Sequence, residues 1–254
     1  PGPVVVDVAK DVFDTKFDYA YPESVHLRGY SGENIGDESE IDAVVEAIRA
    51  AKKPLVFAGG GVILSETAAV LQDIVRRLGA PSTATLLGLG AISADEKGFL
   101  SFAGMHGSYG ANMAIQECDL LLCIGMRFSD RVTGKVSEFA PHAKIVHFEI
   151  DRAELNKNVA ADYRVLGDLS WSLPILRDKL AACPDDFAAK FSPWLAHALE
   201  LEAKHPFGYR EEGDAIKPGA LISKVSSLMG RDAIGVTDVG QHQMWAAQFF
   251  KVYK

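Results

Sequence analysis

Several short strings in this chain combine glycine with charged or amide side chains where an apolar run gives way to a helix. Gly59-Gly60-Gly61 follows the run 54–58. Glycines there let a phosphate or pyrophosphate approach the N–H groups of a helix start. The spacing is not GxGxxG, and a tight turn without ligand reads equally well. Gly104-Met105-His106-Gly107 is a second glycine-dense stretch, with His106 either a ligand contact or an ordinary loop histidine. Gly125-Met126-Arg127-Phe128-Ser129-Asp130-Arg131 follows the most apolar run. Two arginines and an aspartate suit an anionic ligand, or else a solvated ion pair. Glu149-Ile150-Asp151 and Gly167-Asp168 close two further runs, where an acid can accept hydrogen bonds from ribose or adenine. Gly240-Gln241-His242-Gln243 opens a helix with groups that can face a phosphate, or is a plain amphipathic helix start. Together these strings point to one elongated ligand laid across several strand ends. No nucleophile elbow, Walker A loop, HExxH or EF-hand loop is present, and no catalytic acid/base pair or metal ligand set is visible.

The elements that must position these residues alternate. Runs 54–58, 81–87, 120–126, 144–150 and 163–166 read as strands, and 42–51, 66–78, 108–117, 153–158 and 173–182 as helices. Strands apolar on both faces, alternating with helices, mean a parallel sheet covered on both sides. Right-handed crossovers make it a doubly wound α/β domain over residues 40–183. Residues 4–8 read as a strand, 11–40 as linker, and 185–204 as an amphipathic helix. From residue 217 a new rhythm starts: helix 220–229, strand 233–237, helix 240–250.

The 254 residues amount to about 1.7 typical domains. Net charge is −8, with 48% hydrophobic and 24% charged residues, which excludes a disordered chain and argues against a nucleic-acid surface or a polybasic membrane patch. No apolar run is long enough to span a membrane and no secretory signal opens the chain. Cys118, Cys123 and Cys183 form no CxxC, as suits a reducing cytoplasm. The chain begins Pro-Gly-Pro without Met and stops at Lys254, so a piece of a longer protein is expected.

GGGVI, ATLLGLGA, GMHGSYGANMAI, GMRFSDRVTGK, AKIVHFEID and TDVGQHQMWAAQF make a resemblance. The chain resembles the large catalytic subunit of acetohydroxyacid synthase (acetolactate synthase), a thiamine-diphosphate enzyme family of branched-chain amino-acid biosynthesis. The resemblance covers essentially the whole chain. It implies a six-stranded doubly wound parallel sheet with helices on both faces, the FAD-binding middle domain, at 40–183. Residues 1–39 correspond to the end of the pyrimidine-binding domain and a linker, 184–216 to a second linker, and 217–254 to the start of the pyrophosphate-binding domain. The implied reaction condenses two 2-keto acids with decarboxylation of pyruvate, giving 2-acetolactate or 2-aceto-2-hydroxybutyrate.

By the same resemblance FAD meets Arg28, Gly60, Thr85, Leu86, Gly104, Met105, His106, and Gly125, Met126, Arg127, Phe128 and Ser129. Glu149, Ile150 and Asp168 complete that set. Gln241 and His242 contact thiamine diphosphate, and Asp130 and Arg131 lie by the substrate channel, where an arginine suits a keto-acid carboxylate. The family's Asp-Asp before the arginine is here Ser129-Asp130, and its aspartate is here Glu149. The family's activating glutamate and its GDG…N magnesium motif fall outside this sequence, so the chain alone is expected not to turn over pyruvate. A homodimer and a small regulatory subunit are the implied partners. Alternatives are another thiamine-diphosphate carboligase, decarboxylase or oxidase, or a non-catalytic flavin-binding module.

Overall fold

The computed structural model describes residue 3 and residues 5–24, 36–210 and 215–253. Two compact units divide the chain after Glu33. In the first, a single helical turn, α1 (Lys10–Phe13), buries nothing. The strand expected at 4–8 is not formed over residues 5–8, and Val4 lies outside the described residues. Val5 and Val6 are exposed. A strand exists only by pairing, and no neighbouring strand stands beside these residues among those described in the unit.

The second unit is built on a parallel sheet. Its first helix, α2 (Glu38–Ala50), starts before the expected 42 because the Asp37 side chain accepts from Ser39 N–H. Ile41, Val44, Val45 and Ile48 bury its apolar stripe. Then follow β1 (Pro54–Ala58), α3 (Gly60–Leu64), α4 (Ala68–Leu78), β2 (Ser82–Ala84), β3 (Phe99–Phe102), α5 (Tyr109–Glu117), β4 (Leu120–Ile124), α6 (Asp130–Thr133), β5 (Lys144–Glu149), β6 (Tyr163–Leu166), α7 (Leu169–Ala182) and α8 (Phe187–Lys204). The strand order is β3-β2-β1-β4-β5-β6, all pairs parallel. Val56 stands beside Ser82 on one side and Leu122 on the other, and Leu122 beside Val146.

Because side chains alternate across a strand, the sheet feeds two cores. Val56, Ala58, Leu122, Ile124, Val146 and Phe148 pack with α2, α4 and α7. Leu55, Phe57, Leu121, Cys123 and Ile145 pack with Ala111, Ala114 and Ile115 of α5. Helix α8 serves both, with Phe187 and Phe191 in the first and Trp194 and Ala198 in the second. Trp194 Nε1 donates to the Pro54 carbonyl at 2.9 Å.

Several expected elements are corrected. Residues 153–158 form turns rather than a helix. Asp151 Oδ1 accepts from Ala153 N–H and Asn156 Oδ1 from Ala161 N–H, so side chains take the backbone bonds a helix needs. Helix α4 begins at Ala68 rather than 66, since Glu66 holds φ +58, outside the helical region. The extended run from 81 stops at Ala84, where Thr85 caps a 3-10 turn over Leu86–Gly88. The edge strand β3 is the sixth member of the sheet, buried only at alternate residues. The last helices are α9 (Pro218–Leu228) and α10 (Gln241–Phe249). Between them the expected strand at 233–237 is absent, for the same want of a neighbour among the described residues. Among those residues no helix is long and apolar enough to cross a membrane.

Candidate functional site

An order of 3-2-1-4-5-6 reverses between β1 and β4, and the crevice outside the carboxyl ends at that point is where doubly wound sheets take ligands. The turns after the two strands are in backbone contact. Gly59 N–H donates to Ile124 O at 2.8 Å and Gly61 N–H to Gly125 O at 2.9 Å. A Cβ on Gly59 would lie 2.2 Å from Gly125 O and one on Gly61 2.8 Å from it, so only glycine allows this approach. Gly60 lies between them, beside Leu87.

Each remaining strand adds a piece. After β2, Thr85 Oγ1 accepts from Gly88 N–H at 3.1 Å, while Leu86 is partly exposed. After β3, Gly104 holds φ +111, and a Cβ there would meet Arg131 O at 2.6 Å. Asn112 grips both backbone groups of Gly104, accepting its N–H at 2.9 Å and donating to its carbonyl at 3.0 Å. Met105 N–H donates to Arg131 O at 3.0 Å, so the turns after β3 and β4 are tied together. Beneath them Glu202 of α8 accepts from Gly110 N–H at 3.1 Å. Burial raises the pKa of that carboxyl, against bonds from Ser108 and Gly110. After β5, Glu149 Oε1 accepts from the N–H groups of Ile150 (2.9 Å) and Asp151 (3.1 Å). After β6, Asp168 caps α7 by accepting from Ser170 N–H at 2.8 Å.

The carboxyl edge thus gathers Gly60, Thr85, Leu86, Gly104, Met105, His106, the turn 125–129, Glu149, Ile150 and Asp168. Within that turn Met126 and Phe128 are buried, so their side chains belong to the core and only their backbone can face a ligand. Arg127 is exposed and makes no ion pair among the described residues. Asp130 and Arg131 form an exposed ion pair at 2.9 Å. Gln241 and His242 sit exposed at the start of α10, whose other end reaches the edge: Gln248 Nε2 donates to His106 O at 2.9 Å. Arg28 lies outside the described residues.

Large apolar side chains stand uncovered along this edge. Leu87 is 72%, Met105 63% and Ile150 49% exposed, one after each of β2, β3 and β5. With the glycine contact and the unpaired guanidinium, they fit an elongated ligand carrying both flat rings and anionic groups. Among the described residues no group of three or more His, Cys, Asp or Glu side chains is gathered to hold a metal ion.

Sequence reasoning missed His147, Asn112, Glu202 and Gln248. His147 and Asn112 did carry a signal, since a polar group at an inward position is costly unless bonded. The partners of Glu202 and Gln248 are remote in sequence and leave no such trace.

Fold and edge together define a doubly wound, all-parallel α/β domain. Residues 41–176 match the family model described as thiamine pyrophosphate enzyme, central domain. The chain belongs to that family. It is 39% identical over 248 residues to acetolactate synthase isozyme 2 large subunit of Escherichia coli K12, covering 98% of this chain and 43% of that protein. It is also 39% identical over 250 residues to the acetolactate synthase large subunit of Corynebacterium glutamicum (98% and 40%). Against acetolactate synthase 1, chloroplastic, of Nicotiana tabacum it is 38% identical over 256 residues (100% and 38%). The chain therefore spans about two fifths of the length of these curated relatives.

Proposed function

We propose that this chain is part of a thiamine-diphosphate-dependent acetolactate synthase, condensing two 2-keto acids with loss of CO2 from pyruvate, and that its sheet edge holds FAD. The observation that carries the FAD reading is the glycine-only contact of Gly59 and Gly61 with Gly125, flanked by unpaired Arg127 and uncovered Leu87, Met105 and Ile150. The similarity over 98–100% of the chain to acetolactate synthases supports the reaction.

In this reading Gly60, Thr85, Leu86, Gly104, Met105 and His106 line one half of the flavin dinucleotide. The turn 125–129, Glu149, Ile150 and Asp168 line the other. Arg127 supplies charge to its diphosphate. Asp130 and Arg131 would have to exchange their mutual ion pair for the carboxylate of a keto acid. Gln241 and His242 offer an N–H-bearing helix start and two polar side chains to the diphosphate of thiamine. Bound thiamine diphosphate supplies the electron sink for decarboxylation, and these residues bind and orient. Among the described residues no His, Cys, Asp or Glu cluster offers a magnesium ligand set. A small regulatory subunit as partner accords with the relatives named as large subunits, and a cytoplasmic homodimer belongs to the same reading.

The test is titration of FAD into the purified chain, followed by flavin fluorescence and compared with FMN. The expected result is saturable binding of FAD and markedly weaker binding of FMN, which lacks the adenosine end. Equal or absent binding of both contradicts the assignment of the edge.

A further inference from the structure

His147 stands on β5 with no solvent exposure, between the buried Val146 and Phe148. Its Nε2 lies 2.9 Å from the Met126 carbonyl oxygen. A carbonyl only accepts, so Nε2 carries the proton and Nδ1 keeps a bare lone pair. Among the described residues no partner meets Nδ1. Burial holds the imidazole below its ordinary pKa, so the ring is neutral. The edge of Phe128 closes one side, ring centroids 4.8 Å apart. Glu149 Oε2 lies 3.7 Å from the same Nε2, while its other oxygen holds the N–H groups of Ile150 and Asp151.

A buried ring with an unpaired nitrogen is unfavourable, and an aliphatic side chain would remove that cost. What the ring does is hold the Met126 carbonyl inward. A trans peptide sets its N–H opposite to its C=O. With the Met126 C=O turned in, the Arg127 N–H of the same peptide plane is turned out, toward the carboxyl edge. Among the described residues that N–H meets no acceptor, and it belongs to the residue whose guanidinium is also unpaired.

We propose that His147 is a positioning residue of this edge: by fixing the Met126 carbonyl it aims the Arg127 N–H at an anionic group of the bound dinucleotide. The diphosphate is the group whose chemistry this donor pair matches. The inference rests on the flavin reading for its ligand, and on the peptide geometry alone for its positioning.

The test uses the 254-residue chain with His147→Leu, which removes the donor, and His147→Gln, whose Nε2 keeps a donor at similar reach. FAD affinity is read by fluorescence, the Arg127 amide by NMR, and Tm by thermal melting. The expected result is FAD binding weakened about tenfold or more in His147→Leu. His147→Gln should remain within about threefold of the parent, and Tm of His147→Leu should stay close to the parent's, since loss of the orphan nitrogen offsets the donor lost by the Met126 carbonyl. Parent-like FAD binding and an unshifted Arg127 amide in folded His147→Leu overturn the proposal, as does equal loss in folded His147→Gln. If His147→Leu does not fold, retention of FAD and of the Arg127 amide position in His147→Gln supports it, and their loss overturns it. If the parent binds no FAD, the flavin reading fails. The positioning then stands or falls on whether His147→Leu, and not His147→Gln, moves the Arg127 amide.

Discussion

β4 with its turn, at the centre of the sheet, and the stretch 231–240 between α9 and α10 use the same grammar of apolar run, turn and helix, with opposite outcomes. Every residue of β4 is buried and the strand is bonded on both sides. In the other stretch Ile234 and Val236 are 87% and 89% exposed and no ladder forms. A strand is a collective property: an apolar run becomes one only where neighbours satisfy its N–H and C=O groups. The same holds for the turns. At the end of β4 the backbone is pinned by Gly59, Gly61 and the His147 ring. Around Gly230 an added Cβ would meet nothing within 4 Å.

Four experiments break or sharpen that contrast. Leu122→Ala should cost about 3 kcal/mol in chemical denaturation, while Ile234→Ala should stay within about 0.5 kcal/mol. Equal costs would mean that 231–240 is packed in solution. Gly59→Ala drives a Cβ to 2.2 Å from Gly125 O and should lose about 2–3 kcal/mol by the same measurement. Gly230→Ala, at its open site, should be nearly neutral. Arg127→Ala should weaken FAD about tenfold with an unchanged Tm, because its guanidinium holds no protein partner. The smallest effect is in pH. Burial depresses the folded pKa of His147 below its ordinary 6.5, against bonding to Met126 and the charges of Glu149 and Glu154. The folded state therefore binds fewer protons than the unfolded one in that window. The stability linked to this group is fully present above about pH 6.5 and is lost as pH falls through the folded pKa. His147→Gln should flatten that part of a stability–pH curve.

The legibility of the fold follows the same division. β1 and β4 were plain because Pro-Leu-Val-Phe-Ala and Leu-Leu-Leu-Cys-Ile are buried on both faces, as central parallel strands must be. β3 was not, because an edge strand buried on alternate residues carries half the signal. The glycine turns marked the carboxyl edge of the sheet, since backbone contact leaves a composition trace. The inward turn of Met126 and Phe128 left none, and neither did the role of His147, whose partner is a carbonyl 21 residues away. Asp130 and Arg131 were legible as a charged pair, while what they face depends on groups beyond the strand ends.

Hydrogen–deuterium exchange of the chain with and without FAD tests the account most directly. Protection confined to residues 59–61, 85–88, 104–107, 125–129 and 149–150, with 231–240 exchanging as before, is the predicted result. No protection at 59–61 and 125–129, or protection centred on 231–240, would contradict it.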